Sequence, residues 1–591
     1  MKHEKLKAKL NECQSAEKDI REHSKECALF VEKRDGQWEA EITAKFEGKP
    51  RYTDDRVSPL INQVAGEMSE ADFTVRVKPA GGDATKEISR IYDGLIRSIR
   101  NQSNADYIFT MAGKQMLKTG VAGWEITQDY ADADSFDQEI IIKPLHNYEQ
   151  RVWIDPYSLM QDNRDANWGT ILEYVSREEY EDKFPDGQMQ SLGDGDISEA
   201  YYSKPDYITI GRLYYKKPHQ REIVEMTNGK VYEVNEDFER IKDELAAIGV
   251  VENRRRVRDG HKVYTRMFDA GGYLNEEEET VFNHIPIVTV YGNYSVSEGK
   301  RIYHGIPEKL LDIQRVHNYA FSREIEEVAL APRAKFWMTR KQVSKNKQDI
   351  ADLQSLNTNM KPVQFYEVDP EVPNPPQQNG GAQVNPALRT LVGETAFGVN
   401  HAAGLFSANL GDNRGLQSGV AIEKQINQGN NGTRTYFDSM SVAIAWTGQI
   451  LIDSIPKVYD STRQVRILGE DGSQEMLTLN ETFIDSQTGE PVTLNDLSQG
   501  NYDVTCEMGA AYKNRQQEAV ETFIRATERD PAAMELGRDI LYKNIDAPGF
   551  DDLAERARAM LIAQDALPME QLTQEERQWL EQQQAQQSEQ G

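Results

Sequence analysis

The sequence predicts an α+β chain, mainly helical, that assembles with copies of itself into a ring. Only 38% of its 591 residues are apolar and the mean hydropathy is −0.69, so the core is modest for this length. Residues 386–459 read as a short helix, a Gly/Asn-rich loop at Gly404–Ser418 and a long helical pattern interrupted only at Gly429–Gly432. A long broken helix beside a polar loop is costly to bury in a monomer, whereas a ring buries it against neighbours.

The charge balance restricts the partners of this chain. It carries 97 acidic and 68 basic side chains, a formal net charge of −29. Such a surface repels nucleic acid, which argues against tight, sequence-independent DNA binding. Two interpretations remain open, namely general solubility and a channel wall that lets a polyanion slide past.

The cysteines and the apolar runs exclude other classes. Cys13, Cys27 and Cys506 are scattered without CxxC spacing, so neither a disulfide framework nor a zinc site is expected. No apolar run reaches transmembrane length, and Met1–Asn11 is charged, unlike a signal peptide. We expect a soluble protein assembled in a reducing cytoplasm, without membrane association, cofactor or metal.

The first half of the chain predicts a mixed body. Residues 1–48 are helical in pattern, and Ser58-Pro59 signals a helix start with serine as the cap. Leu60, Ile61, Val64 and Met68 follow at helical spacing, and Phe73, Val75 and Val77 alternate as in a strand. Further helices are expected at Lys86–Ile99, Ala105–Thr119 and Asp237–Ala247, and strands at Trp124–Gln128, Glu139–Pro144, Tyr207–Tyr215, Glu222–Met226, Lys262–Phe268 and Ile285–Tyr291.

The second half predicts two helices that bracket a small insert. After a turn-rich connector, Gly292–Gly305, an amphipathic helix is expected over Ile306–Ala331, ended by Pro332, with an apolar face of Leu310, Ile313, His317, Ala320, Phe321 and Val328. Strands at Lys335–Met338 and Val363–Val368 flank a helix at Lys341–Leu356. A linker, Pro370–Asn385, leads to a return helix ending near Ala402. From Asn514 onward the chain is helical in pattern, with a capping box at Thr573 and Glu576.

Motifs for catalysis or metal binding are incomplete. Gly292 and Gly299-Lys300-Arg301 have the wrong spacing for a phosphate-binding loop and lack the following Ser or Thr, so no ATP hydrolysis is expected. The acidic groups from Asp132 to Glu139 and at Asp194 and Asp196 do not complete a calcium-loop spacing. His317 and His401 fit helix faces better than metal sites. We therefore expect a protein that is not an enzyme.

This order of elements resembles the portal (head-to-tail connector) proteins of tailed bacteriophages, in particular those of the short-tailed enterobacterial type. The likeness extends from about residue 50 to about residue 560. It is carried by Arg56–Met68, His304-Gly305-Ile306-Pro307 with Asp312-Ile313-Gln314, Ser418–Ile422, Tyr502-Asp503-Val504, Arg515-Gln516 and Lys543–Gly549.

The resemblance implies a dodecameric ring with wing, stem, clip and crown regions. The corresponding segments are 1–305 and 460–510 (wing), 306–332 (stem helix), 333–372 (clip), 373–403 (linker and return stem helix), 404–418 (tunnel loop), 419–459 (long kinked helix) and 511–591 (helical crown with a short C-terminal tail). The implied partners are the terminase large subunit, capsid and scaffolding proteins, tail adaptors, and double-stranded DNA in the channel.

Three groups of residues are candidates for function. In the tunnel loop, Asn409, Asp412, Asn413 and Arg414 are expected to touch DNA lightly, and glycines supply mobility. An ordinary surface loop is the alternative.

Gly429 and Gly432 predict a kink in the long helix, because each glycine weakens a helix by about 1 kcal/mol relative to alanine. Two helices joined by a turn are the alternative. The clip carries a basic surface formed by Arg333, Lys335, Arg340, Lys341, Lys345 and Lys347, which would meet a partner or DNA or be merely solvated.

The function that these observations favour is that of a portal ring at one capsid vertex, through which DNA is packaged and ejected. Two alternatives remain open. Another head-completion or tail ring protein would not bind terminase. A metal-dependent nuclease that uses the acidic cluster near Asp132 would cleave plasmid DNA with Mg²⁺ or Mn²⁺.

Overall fold

A computed structural model gives the fold of the chain. It describes all residues except 50, 82–83, 133, 190–191, 193–206, 228–230, 235, 248, 331–334, 356–364, 380–384, 404–418, 470–472, 485–490, 499, 511–519, 521, 528–530, 546, 548 and 564–591. For some other helix and strand positions only the backbone is described: 34, 221, 236–237, 244, 329–330, 335–336, 378–379, 419–431, 482–484, 491–493, 509–510, 531–533 and 551.

The N-terminal helix, His3–Glu32, lies across the body and confirms the helical pattern of this segment. Its buried side is a stripe with helical spacing, made of apolar and small residues and one glutamate: Leu6, Leu10, Cys13, Glu17, Ser24, Cys27, Ala28 and Phe30. A 3₁₀ turn, Arg34–Gln37, and a short helix, Ala40–Lys45, follow.

A buried ion cluster fastens the N-terminal helix to the body. The Glu17 carboxylate pairs with Arg21 on the same helix and with Arg301 on a distant hairpin. Arg21 also donates to the carbonyl oxygens of Glu149 and Val152, at 2.7 and 2.8 Å. Burial raises the pKa of Glu17, but the two guanidinium groups outweigh that effect and hold its pKa below the ordinary value. One carboxylate therefore joins three separate segments.

The main core lies between helices and a two-stranded antiparallel sheet. The helices are Val57–Glu70, Lys86–Gln102 and Ala105–Thr119, and the sheet pairs Ala71–Gly81 with Asn501–Ala510. The predicted alternation is confirmed, since Phe73, Val75 and Val77 are all buried. The sheet joins residues from opposite ends of the chain. The long helix, Gly419–Val458, packs on it closely: a Cβ added at Gly448 would lie 2.8 Å from side-chain carbons of both Val75 and Val504.

The helix start near Ser58 differs from the prediction. The helix begins at Val57, and its first amides are capped by Asp55 rather than by Ser58. The Asp55 carboxylate accepts from the backbone amides of Val57 and Ser58, at 3.0 and 3.1 Å, and from the Ser58 hydroxyl. An acidic cap also complements the positive end of the helix dipole, which explains the earlier start.

A three-stranded sheet and a hairpin stand beside this core. The strands Val121–Tyr130, Gln138–Pro144 and Ile287–Tyr291 are antiparallel, with the first in the centre. The segment predicted as a turn-rich connector, Gly292–Gly305, is instead a hairpin of Asn293–Ser297 and Lys300–His304. Its turn at Glu298 and Gly299 has positive φ at both residues, as a tight two-residue hairpin turn requires.

The largest sheet among the described residues has six strands. They are Val152–Ile154, Trp168–Ser176, Tyr207–Met226, Glu252–Phe268, Glu278–Glu279 and the short Val231–Glu233. The two strands predicted at 207–215 and 222–226 are one continuous strand, which pairs with all of Glu252–Phe268 in a long hairpin. Short helices, Tyr148–Arg151, Arg177–Lys183 and the predicted Glu236–Ala247, lie beside this sheet.

The segment from residue 306 to residue 403 is a helix pair with an insert. A 3₁₀ turn, Pro307–Lys309, precedes the first helix, Leu311–Leu330, and the second helix is Pro386–Ala402. The insert contains strand Lys335–Trp337, a 3₁₀ turn Arg340–Gln342, helix Lys347–Gln354 and strand Gln377–Asn379. The predicted strand at Val363–Val368 is wrong over the described part, 365–368. Lys335–Trp337 pairs instead with Gln377–Asn379, inside the expected linker.

The chain ends in short hairpins and helices. The hairpins are Arg463–Leu468 with Gln474–Leu479 and Glu481–Ile484 with Pro491–Leu494. Helices Pro531–Lys543 and Phe550–Ala563 confirm the helical pattern of the C-terminal part. The expected capping box at Thr573 lies outside the described residues.

Replacing Glu17 by alanine is expected to loosen the N-terminal helix. The substitution leaves Arg301 buried without its carboxylate, and breaking one partner of a buried pair costs about 3–5 kcal/mol. Hydrogen exchange of residues 3–32 measures the effect, with the exposed Glu22→Ala as control. Because folding lowers the pKa of Glu17, its contribution is complete above the ordinary glutamate pKa. It is lost as the pH falls through the lowered value. Unchanged exchange in the Glu17 variant would contradict this role.

Candidate functional site

The helix pair is antiparallel and is held by contacts along its length. A Cβ added at Gly398 on the second helix would lie 3.7 Å from Ile313 on the first. His317 Nδ1 lies 2.9 Å from Thr395 Oγ1, and the Asn385 amide donates to the Glu327 carboxylate at 3.1 Å. Residue numbers rise on one helix as they fall on the other, so the insert lies at one end of the pair.

The buried side of the first helix is polar. Gln314, Asn318 and Ser322 are four residues apart and fully buried, so they form one row along the helix. Their side chains bind the backbone of an extended segment, 52–54. Gln314 donates to the Asp54 carbonyl at 2.6 Å, and the Asp54 amide donates to Asn318 Oδ1 at 3.1 Å. The Ser322 hydroxyl accepts a hydrogen bond from the Tyr52 amide at 3.0 Å and donates one to the Tyr52 carbonyl at 3.1 Å.

A charged group extends this polar row. His317 Nε2 lies 2.9 Å from the Asp54 carboxylate, which Arg56 also contacts at 2.9 Å. Burial raises the pKa of Asp54, but hydrogen bonds from His317 and Arg56 outweigh it and hold the pKa below the ordinary value. His317 therefore links segment 52–56 to both helices, a role that its position on a helix face did not reveal.

The predicted apolar face of the first helix is only partly buried. Leu310 and Ala320 are buried, but Ile313 and Phe321 remain half-exposed and Val328 is 59% exposed. On the second helix only Val399 is buried among the described side chains, and Phe397 is 71% exposed. The first helix thus buries a row of polar side chains and leaves several apolar side chains exposed, unlike a typical surface helix in a monomer. Such faces indicate burial against another molecule.

Two polar side chains organise the insert. Thr339 and Gln342 form a capping box, and the Thr339 hydroxyl donates to Asp369 at 2.6 Å. Gln342 Nε2 donates to the carbonyls of Val372 and Asn374, at 3.2 and 2.7 Å. The hydrogen bond from Thr339 holds the pKa of Asp369 below its ordinary value. These bonds fold the two arms of the insert onto each other.

The insert has no apolar core of its own among its described residues. Between 335 and 379 the buried side chains are Gln342 and Asp369, both polar. Large apolar side chains instead face outward, namely Trp337, Phe365, Tyr366, Val368 and Val372. A cavity of about 200 Å³ opens among Met338, Ile350, Leu353, Phe365 and Pro375. A two-stranded sheet without a core is marginal in water.

The structure divides the predicted basic residues of the insert into two groups. Lys341 pairs with Glu371 at 2.7 Å, and Lys345 lies 3.9 Å from Glu367, so these acidic residues offset part of the expected charge. Arg340 and Lys347 are exposed and form no ion pair within the part of the chain that the structure describes. Lys335 lies on the strand paired with Gln377–Asn379, and Arg333 falls outside the described residues.

Of the other candidates, the predicted tunnel loop lies outside the described residues, and the two glycines of the predicted kink lie in the long helix. The predicted loop with Asn409, Asp412, Asn413 and Arg414 falls in 404–418, outside the described residues. The long helix runs without interruption from Gly419 to Val458, so two helices joined by a turn are not observed. A bend at Gly429 and Gly432 within this continuous helix stays a prediction. The apolar stripe beyond it is confirmed, because Met440, Ile444 and Leu451 are buried.

The described residues contain neither a candidate membrane span nor a candidate metal centre. No helix there combines the length and apolarity needed to cross a bilayer. No group of three or more His, Cys, Asp or Glu side chains in the same ranges is arranged to hold a metal ion.

Comparison with known proteins agrees with the resemblance inferred from the sequence. The family described as phage P22-like portal protein matches residues 7–591. The chain belongs to this family. A relative named portal protein, from Acyrthosiphon pisum secondary endosymbiont phage 1, is 24% identical over 95% of this chain and 81% of its own length. The predicted resemblance is therefore confirmed, and the function is that of a phage portal, a structural component of the virion.

Alanine in place of Asn318 is expected to release segment 52–54 from the portal's helix pair. Asn318 accepts from the Asp54 amide and from Gln314, and donates to Gln37 at 2.8 Å, so its loss strands several buried polar groups. Each stranded group costs about 1–3 kcal/mol. Hydrogen exchange at residues 52–56 should accelerate, whereas the exposed Asp312→Ala on the same helix should leave it unchanged. Equal protection in both variants would contradict this view of the row.

Proposed function

We propose that the chain forms a closed ring, dodecameric as the family resemblance implies, at one capsid vertex. Double-stranded DNA enters and leaves the head through its bore. The terminase large subunit docks on the ring during packaging, and tail adaptors replace it afterwards. Capsid and scaffolding proteins surround the ring during head assembly. In this proposal 1–305 and 460–510 are the wing, the helix pair is the stem, the insert is the clip, and 511–591 is the crown.

The observation that carries the proposal is the inverted polarity of the helix pair. Its polar row is used inside the subunit, while Val316, Val328 and Phe397 are left outward at 45, 59 and 71% exposure. Contacts in a ring are heterologous, because one surface of each subunit meets a different surface of the next subunit. When the ring closes, both surfaces are buried in every subunit. The coreless insert supports the same conclusion. Both elements gain in a ring the burial that a single chain does not supply.

The bore is proposed to hold DNA weakly. A net charge of −29 keeps phosphates from binding firmly to the walls. The loop 404–418 joins the second helix of the pair to the long helix, and Asn409, Asp412, Asn413 and Arg414 are proposed to touch the DNA from it. A bend at Gly429 and Gly432 would let the long helix follow the wall of the channel. Energy for translocation comes from the docked terminase, since the portal supplies only a passage.

Replacing Phe397 by glutamate is expected to prevent ring formation. The side chain is 71% exposed in the single chain, so the change should not unfold the subunit, but it would bury a charge at the proposed contact. Phe397→Leu is the matched control, because it keeps the site apolar. Mass photometry should show rings for the wild type and the leucine variant and single chains for the glutamate variant. Rings of equal stability in all three would exclude this contact.

Charge reversal at Arg340 and Lys347 is expected to weaken docking without affecting assembly. Both residues are exposed on the insert and lack ion-pair partners among described residues, so an acidic surface of the motor or adaptor would lose two attractions. Rings of Arg340→Glu/Lys347→Glu should bind terminase about tenfold more weakly.

A control and a second ligand test this assignment. Lys86→Glu/Lys300→Glu makes the same charge change at exposed positions outside the insert. Terminase affinity that falls equally in both double variants would assign the effect to overall charge. A selective loss of duplex DNA binding in the Arg340/Lys347 variant, with terminase binding intact, would assign these side chains to the DNA exit instead.

A further inference from the structure

The far end of the long hairpin forms a small unit of its own. Val224, Met226 and Phe238 are buried together, with the helix Glu236–Ala247 covering one face of the sheet. The register places Arg255 opposite Val224, so Arg255 and Val257 lie on the helix side. Because strand residues alternate between faces, Arg254, Arg256 and Arg258 lie on the opposite face. Every residue from Glu252 to Asp259 is exposed.

The charges on that opposite face are only partly neutralised. Arg254 pairs with Glu225 on the neighbouring strand. Arg256 and Arg258 form no ion pair with any residue that the structure describes. This face therefore carries two arginines whose charge no described carboxylate neutralises.

The same strand presents an open edge. One side of Glu252–Phe268 pairs throughout with Tyr207–Met226. On the other side, Glu278–Glu279 pairs only with Tyr264 and Thr265, so along 252–260 no described strand covers that edge. Unpaired backbone groups of an edge strand are a template for a further strand.

The chain itself shows what fits this edge. Its own short strand there is acidic: the Glu279 carboxylate pairs with Lys262 at 2.8 Å and accepts from the Tyr264 hydroxyl at 3.3 Å. The hydrogen bond from Lys262 holds the pKa of Glu279 below the ordinary value. An acidic strand is thus already paired with one cation, Lys262, on this edge, and the arginines continue the cationic surface beyond it.

We propose that the edge at 252–260 is a docking site for an extended, acidic segment of another protein. The segment would add a strand by backbone hydrogen bonds, as in β-augmentation. Alternate arginines in a strand are about 6.8 Å apart, the spacing of alternate carboxylates on the incoming strand. Guanidinium groups pair carboxylates with two parallel hydrogen bonds. The unpaired backbone groups of this edge favour a polypeptide, which can add a strand, over a phosphate backbone, which cannot.

The test uses the full chain and a fluorescein-labelled peptide of alternating glutamate and valine. Fluorescence anisotropy should show binding that weakens with added salt, while a lysine–valine peptide and a short DNA duplex should bind more weakly. Arg256→Glu/Arg258→Glu should reduce affinity for the acidic peptide about tenfold or more. Arg256→Lys/Arg258→Lys keeps the charge but loses the planar fork, so an intermediate loss is expected.

Controls separate docking from other effects. Lys86→Glu/Lys300→Glu makes the same charge change away from the edge and should leave peptide affinity within about twofold. Mass photometry of each variant reports assembly independently, so this proposal and that of the ring can fail separately. Absence of peptide binding to the wild type would overturn the proposal, leaving the arginines as protection against edge-to-edge aggregation. Preferential binding of the DNA duplex, or an edge occupied by a second copy of the chain, would also overturn it.

Discussion

The architecture depends on one set of hydrogen bonds, those between the first helix of the pair and the backbone of residues 52–54. Gln314, Asn318 and Ser322, all buried, bind the amide and carbonyl groups of segment 52–54. That segment leads directly into the helix Val57–Glu70 of the main core. The row therefore fixes the helix pair, and with it the insert, relative to the main core.

Because the first helix buries polar side chains inside the subunit, some of its apolar side chains remain exposed. A helix has a limited circumference, so the face occupied by the row is not available to apolar side chains. Val328 and its neighbours are displaced outward, and the second helix, with one buried residue among those described, does not cover them. In the proposed ring this arrangement would also orient the subunit, because the polar side contacts segment 52–54 of its own chain and the apolar side is left for the neighbouring subunit.

The sequence predicted the elements of the main core well, because their periodic apolar residues are buried within the same chain. The helices at 57–119, the strand at 71–81 and the long helix are examples. It failed where stabilisation comes from distant or polar partners. The sequence predicts two strands where the structure has one, because Lys216–Arg221 is polar and contains Pro218. These residues nevertheless pair in register with the facing strand of the long hairpin. Gln377–Asn379 has poor strand propensity and is a strand only through pairing with Lys335–Trp337.

The candidate site was predictable to a similar, limited extent. The basic character of the insert was visible in the sequence, but its offset by Glu367 and Glu371 was not, because these residues lie more than twenty positions from the lysines they meet. The polar row was missed because its partner is backbone some 260 residues earlier in the chain. The four-residue spacing of Gln314, Asn318 and Ser322 was the available signal, and it conflicted with the apolar face inferred from Ile313, Phe321 and Val328.

The most direct measurement of the central claim is a cryo-electron microscopy reconstruction of the purified, assembled chain. The account predicts rings with an open bore as wide as duplex DNA. In those rings Val328 and Phe397 contact the adjacent subunit, while Asn318 still binds segment 52–54 of its own subunit. Rings in which these two apolar side chains remain in solvent, or particles that are only single compact chains, would contradict it.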